Sequence, residues 1–263
     1  MALAIRSSGV ISDRQVEQFR ELGYFIIEEF FTMDEVEAVQ REITRIVDQH
    51  PNLPGEMVQM EPVVRRGERV PETKELGVRK LFRMAVHNDF FRQLAFYPKM
   101  VEIAAVLLGP DIKLLQSMLL MKPPHFGGSK IWHQDNAYFR LVPNDVFGFW
   151  VACDDTDPAN GCMHILPGSH TAGVAEHSGM NDDYGLSAPP SLDRALACPL
   201  NAGGALIFHG ELCHFTPDNT TDRRRRAVQY HYASTRCRPA ENSPFPARMG
   251  EILVAGREYE GCI

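Results

Sequence analysis

Apolar residues recur with two different periods along this chain, and the change from one to the other divides it. Near the start the period is helical. Val16, Phe19 and Leu22 share one side of a segment that Ser12 opens and Gly23 closes, with Gln15 at the capping-box position. Thr32 and Glu35 repeat that cap before a stripe of Val36, Val39, Ile43, Ile46 and Val47. Between the two, "YFIIEEFF" (24–31) reads as a short strand. More helix is predicted from Asn88 to Leu108, restarted at Pro98 and stopped by Gly109-Pro110.

Residues 51–78 carry neither period. They are polar, with prolines at 51, 54, 62 and 71, and read as an irregular surface loop or a lid over a site. Beyond Pro110 the apolar runs shorten. "IKLLQSMLLMK" fits either period but leads directly into Pro123-Pro124. "VFGFWVACDD", "CMHILPGSH", "GGALIFHG" and "RAVQYHYAS" are rich in aromatic or β-branched residues and bounded by turn formers. Helices first and short strands afterwards predict a mainly β fold, an antiparallel barrel or sandwich carrying N-terminal helices. At 263 residues the chain reads as a single domain, 1–263, helical over about 12–110, with its β core over about 111–236.

Charge and composition narrow the function. The balance of 27 basic against 34 acidic residues leaves a net charge of −7, which argues against nucleic acid or an anionic membrane as partner. No segment approaches the roughly 20 apolar residues that span a bilayer, and "MALAIRSSGVISDRQ" lacks the apolar run of a signal peptide. The cysteines at 153, 162, 198, 213, 237 and 262 form no CxxC pair, so reduced thiols in a cytoplasmic protein are expected. A small-molecule substrate is the partner these features leave; oligomeric state is not legible.

The chemistry gathers at "SKIWHQDNAYF" (129–139). If residues 131–135 are extended, His133 and Asp135 lie on one face, since strand side chains repeat every two residues. Two such ligands can grip a metal ion that takes a third from elsewhere. Two imidazoles and one carboxylate form the ligand set of non-haem Fe(II) oxygenases. A lone HxD equally describes a buried histidine hydrogen-bonded to a carboxylate. Further along, "GALIFHGELCHFTPDNTTDRRRRAVQYHY" offers His209 and His214 as third ligands and four consecutive arginines, 223–226.

Here the chain resembles the phytanoyl-CoA dioxygenase family of Fe(II)/2-oxoglutarate-dependent oxygenases. The resemblance runs through "FRELGYFIIEEFFTMDEV", "VRKLFR", "HQD", "NGCMHILPGSH" and "FHGELCHFTPDNTTDRRRRAVQYHY", in that order. It implies a double-stranded β-helix core, the jelly-roll or cupin-like fold. It also implies that His133, Asp135 and His214 hold the metal, with His209 as an accompanying or packing residue. Arg225, eleven residues beyond His214, matches the family's clamp on the 2-oxoglutarate C5 carboxylate, a task for which a guanidinium fork is suited. Strand alternation then turns Arg224 and Arg226 to the opposite face, with Arg223 in the preceding turn. Gln116 aligns with a glutamine that resembles a further 2-oxoglutarate contact.

Other positions carry lesser expectations. Trp150 and Asn136 read as scaffold beside the pocket. His164 is either pocket-facing or packed, and His170 supports a loop. The stretch 51–78 contributes Met57, Met60, Arg65, Arg66 and Arg69 to a lid, and 171–194 forms a second variable segment. The retained Asp135 separates this chain from the halogenases of the family, in which a small residue stands there. The implied activity consumes 2-oxoglutarate and O2 with Fe(II), forms succinate and CO2, and hydroxylates an unactivated C–H bond of a metabolite or natural-product intermediate. The same site can support desaturation, epoxidation or ring formation, and a non-catalytic binding barrel is the reading from another class.

Overall fold

Both capping boxes form. The Ser12 N–H donates to Gln15 Oε1 (2.9 Å) and the Gln15 N–H to Ser12 Oγ (3.3 Å), opening α1 (Asp13–Leu22). Thr32 and Glu35 exchange the same pair of bonds at the start of α2 (Met33–Asp48). Gly23 ends α1 at φ +81°, and a Cβ there would also strike the His170 ring at 2.6 Å. Asn88 caps α3 (Asp89–Leu94), and the helix restarts at Pro98 as α4 (Pro98–Leu108). The computed structural model describes residues 9–48, 53–179, 183–241 and 252–257; Pro51, Cys262 and the first eight residues, read above for a signal peptide, lie outside them.

Among the described residues the larger sheet has eight strands, all antiparallel. In chain order they are β1 (Tyr24–Ile27), β2 (Val58–Met60), β3 (Val78–Phe82), β4 (Ile112–Lys122), β6 (Val146–Ala152), β9 (Ala205–His209), β11 (Arg225–Ser234) and β12 (Ile252–Ala255). Their spatial order is β1-β9-β6-β11-β4-β3-β2, with β12 also paired to β4. The smaller sheet runs β8-β7-β10-β5, from Leu196–Cys198, Met163–Ile165, His214–Thr216 and Lys130–His133 respectively. Facing sheets in this strand order make the jelly roll.

Alternation along β6 shows how the layers divide. Phe147, Phe149 and Val151 join Val36, Ile43, Phe91 and Ile103 in the core beneath the helices, while Trp150 and Ala152 pack between the two sheets with Met163, Ile165 and Leu206. Burying a side chain of this size contributes roughly 1.5–3 kcal/mol. The helical layer therefore stabilises the larger sheet from outside and leaves its inner face available for a site. Among the described residues no helix is long and apolar enough to cross a membrane.

Two expectations need correction. The strand predicted over 24–31 stops at Ile27, because the Phe30 and Phe31 N–H groups both donate to the Gly203 carbonyl (2.9 Å) and turn the rings into the helical core. Residues 53–78 are irregular only in part, chiefly over 66–74. They supply β2, the edge of the larger sheet, and the short helix Pro62–Arg65. A buried Arg79–Glu61 pair (3.1 Å) anchors this segment, and Arg79 also donates to the Gly128 and Ser129 carbonyls. Glu75 anchors it from the other side through Thr44 Oγ1, Arg224 and Arg226.

Candidate active site

β5 ends at His133, so the extended geometry expected over 131–135 is not how His133 and Asp135 meet. Asp135 has helical backbone angles (φ −64°, ψ −37°) and opens the short helix Asn136–Phe139. The neighbours on either side hold that turn. Gln134 donates to the Gly173 and Glu211 carbonyls, and Asn136 donates to Glu211 Oε1. His214 arrives from β10, directly opposite His133 in the antiparallel register, with the ring centroids 4.1 Å apart. Asp135 Oδ1 lies 3.6 Å from His133 Nε2 and 3.7 Å from His214 Nε2.

These three residues have ligand atoms within 4.8 Å of one another and are all buried. Both imidazoles donate through Nδ1 to a backbone carbonyl two residues earlier, Ile131 and Leu212, each at 2.8 Å. That fixes the tautomer and turns the Nε2 lone pair inward. Burial lowers the pKa of both histidines, so both are neutral donors. Burial works against the Asp135 carboxylate, but the imidazoles around it, His231 first, more than offset this and hold it below the usual range. His231 Nε2 donates a hydrogen bond to Asp135 Oδ2 (2.7 Å). Two neutral imidazoles and one ionised carboxylate fit Fe(II).

The triad lies in the wall of a cavity of about 690 Å³, within the usual range for small-molecule sites. Arg225 lines the same cavity from β11. Its guanidinium sits 5.4 Å above the Trp150 ring and donates to the Leu120 carbonyl. Among the described residues no carboxylate pairs with it, and its Nε has no partner although the side chain is only 2% exposed. Burial and the nearby Arg79 push its pKa down to about 10, so it remains charged at neutral pH. A buried, unneutralised guanidinium is a seat for an anion. Arg224 and Arg226 point the other way, to Glu75 and Asp154, and Arg223 pairs with Asp157 in the turn.

Gln116 also lines the cavity, from β4. Trp150 forms cavity wall, whereas Asn136 is scaffold. His209 lies off the triad, its Nδ1 accepting from the Glu211 N–H (3.0 Å) and its ring against Phe19. His164 packs on Phe215, and His170 contacts the Arg20 carbonyl. Of the expected lid, Met60 and Arg65 reach the cavity, but Met57 is core, Arg66 pairs with Glu68, and Arg69 lies over Phe126. From 171–194 only Asp183, among the described residues, lines it.

Sequence reasoning missed Thr216, Lys80, Gln229 and His231. Thr216 lines the cavity two residues after His214, a spacing that strand alternation makes readable. His231 had no such signal, because it contacts Asp135 from the opposite sheet.

Known proteins resemble this chain over most of its length. The family model described as phytanoyl-CoA dioxygenase matches residues 19–227. A phytanoyl-CoA dioxygenase domain-containing protein 1 of Rattus norvegicus is 30% identical, covering 84% of this chain and 89% of the relative. A peroxisomal phytanoyl-CoA dioxygenase of the same species is 26% identical over 88% of this chain and 71% of its own. In fold the chain is similar to EctD from S. alaskensis, solved with 2-oxoglutarate and 5-hydroxyectoine (TM-score 0.75, 20% identity, 98% of this chain and 88% of that one). The chain belongs to the phytanoyl-CoA dioxygenase family and is a non-haem iron dioxygenase that uses 2-oxoglutarate and O2.

Proposed function

We propose that this chain acts as a single-domain oxygenase that hydroxylates an unactivated C–H bond of a small molecule held in the cavity. His133, Asp135 and His214 are the iron ligands, and Arg225 holds the C5 carboxylate of 2-oxoglutarate, with Gln116 as a further contact. The observation that carries this reading is the meeting of two incomplete sites in one cavity. A donor triad suited to Fe(II) and a buried cation lacking a carboxylate partner both open onto it.

The chemistry supplied once Fe(II), 2-oxoglutarate and O2 are bound is oxidative decarboxylation to succinate and CO2, coupled to oxidation of the substrate. The protein's own residues orient and select. Backbone carbonyls at 131 and 212 aim the two imidazoles, and Trp150 and the Leu120 carbonyl fix the direction of the Arg225 fork. Met60, Met118 and Phe139 add an apolar, adaptable patch, suited to a hydrocarbon portion of the substrate, to a wall that also carries Arg65, Lys80 and Gln229. A reducing compartment such as the cytoplasm fits five buried, unpaired thiols among the described residues; burial pushes Cys153 and Cys198 up to about 12.

Adding Fe(II) and 2-oxoglutarate to the purified protein without oxygen tests the assignment. A weak visible charge-transfer band is expected in the wild type and absent in His214→Ala. Its absence in the wild type, with no heat of 2-oxoglutarate binding, would overturn the roles given to these residues.

A further inference from the structure

We propose that His231 is a positioning residue that holds Oδ2 of Asp135 and so presents Oδ1 to the site formed with His133 and His214. The inference rests on the ligand assignment of His133, Asp135 and His214 made above.

The two oxygens of Asp135 face different partners. Oδ1 is the one that lies 3.6 and 3.7 Å from the Nε2 atoms of His133 and His214. Oδ2 is turned away from them and accepts a hydrogen bond from His231 Nε2 at 2.7 Å. A carboxylate can accept through both oxygens or ligate through both, and at this site one of them is already committed. An ion held by the two Nε2 atoms would meet the carboxylate through Oδ1, whose direction the His231 bond to Oδ2 fixes in advance.

The setting of His231 suits this task. It is fully buried on β11, facing inward six residues after Arg225 and directly across the register from Gln116. Phe139 and Phe208 meet its ring edge-on, at centroid distances of 5.2 and 6.2 Å. Gly148 leaves room on the neighbouring strand, where a Cβ would lie 3.3 Å from His231 Nε2 and 2.6 Å from the Phe208 ring. The donated proton must sit on Nε2, because a carboxylate at 2.7 Å can only accept. Nδ1 has no hydrogen-bond partner among the described residues. The Gln229 amide lies 3.1 Å from the same Nε2. With that N–H already donating, the amide has to face it with oxygen. A histidine kept for packing alone gains nothing from an unsatisfied ring nitrogen; the bond to Asp135 gives the residue its purpose.

Outer hydrogen bonds of this kind typically set metal affinity by 10–100-fold. The test is a Mn(II) titration of the metal-free full chain, read by the paramagnetic signal of free ion, on wild type, Asp135→Ala, His231→Phe, His231→Gln and His231→Asn. Melting of each metal-free variant is measured alongside. Gln can place an amide N–H near the Nε2 position, whereas the shorter Asn reaches only the Nδ1 position. His231→Phe and His231→Asn are expected to weaken Mn(II) binding by about 10–100-fold, and His231→Gln to recover to within about threefold of wild type. Equal affinities in the Gln and Asn variants overturn the proposal, and this comparison holds even if the Phe variant does not fold. Unchanged affinity in His231→Phe, with Asp135→Ala abolishing binding, also overturns it while leaving the ligand assignment standing. Unchanged affinity in Asp135→Ala removes the ligand assignment itself.

Discussion

At the scale of single residues, the same group can strengthen binding and weaken the fold. Arg225 is buried, charged and without a carboxylate partner among the described residues. Arg225→Met keeps much of the aliphatic stem and deletes the charge. In calorimetric titrations of the Mn(II)-loaded protein, 2-oxoglutarate affinity should fall by about 30-fold or more, the ~2 kcal/mol of a charge-assisted hydrogen bond. Urea denaturation of the metal-free protein should show stability unchanged or raised by about 1–3 kcal/mol, because an uncompensated buried charge has been removed. Normal 2-oxoglutarate affinity would point to another cation. The residues that meet in the cavity were legible in the sequence where chemistry is local, as in the spacing of His133 and Asp135. The premise used for that pair was nevertheless wrong, since Asp135 has left the strand. His231 was not legible at all. Inside "VQYHY" it looks like one more strand residue, and only the fold sets it against Asp135.

At the scale of elements, the turn between β10 and β11 decides where Arg225 arrives. Asn219, 1% exposed, has the carbonyls of Lys122 (3.1 Å), Pro123 (3.1 Å) and Arg223 (2.6 Å) around Nδ2, whose two N–H groups serve all three, one of them shared. One side chain therefore joins the end of β4 to the turn two residues before Arg225. Asn219→Ala leaves those buried carbonyls short of a donor and should lower stability by about 2–3 kcal/mol in urea denaturation. Asn219→Asp, equal in size but without the N–H groups, should cost at least as much; a neutral result in both would assign the turn's stability to Thr221. Capped helices were readable because their signals are contiguous, as at Ser12-Gln15 and Thr32-Glu35. Residues 53–78 misled because their order comes from distant partners, chiefly Glu61 with Arg79 and Glu75 with Arg226. Polar composition is the expected look of a loop, and it is equally the look of a segment held by buried ion pairs.

At the scale of the molecule, helical layer, larger sheet and the loop after β7 meet around His209, and this junction makes stability depend on acidity. The His209 ring lies 5.9 Å from Phe19 of α1 and 5.1 Å from His170, while its Nδ1 accepts from the Glu211 N–H. Burial, helped by the His170 charge, pushes its pKa from the ordinary 6.5 down to about 4. Above pH 6.5 the ring is neutral in folded and unfolded chains alike, and its full contribution is present. Between 6.5 and 4 the unfolded chain takes up a proton that the folded one refuses, so stability falls as pH falls. Below about 4 both are protonated and the loss stops, having reached at most about 3 kcal/mol. His133 and His214, also lowered by burial, add to the slope in the metal-free protein. Asn at 209 can accept from the Glu211 N–H without a group that titrates, so His209→Asn isolates one share of the effect. Urea denaturation of the metal-free wild type and variant from pH 8 to pH 4 should give curves that run close together above 6.5. They should draw apart below it, the variant losing less by up to about 3 kcal/mol. Parallel curves across that interval would mean that His209 is protonated at no cost in the fold, and that the junction opens to water before the sheets do.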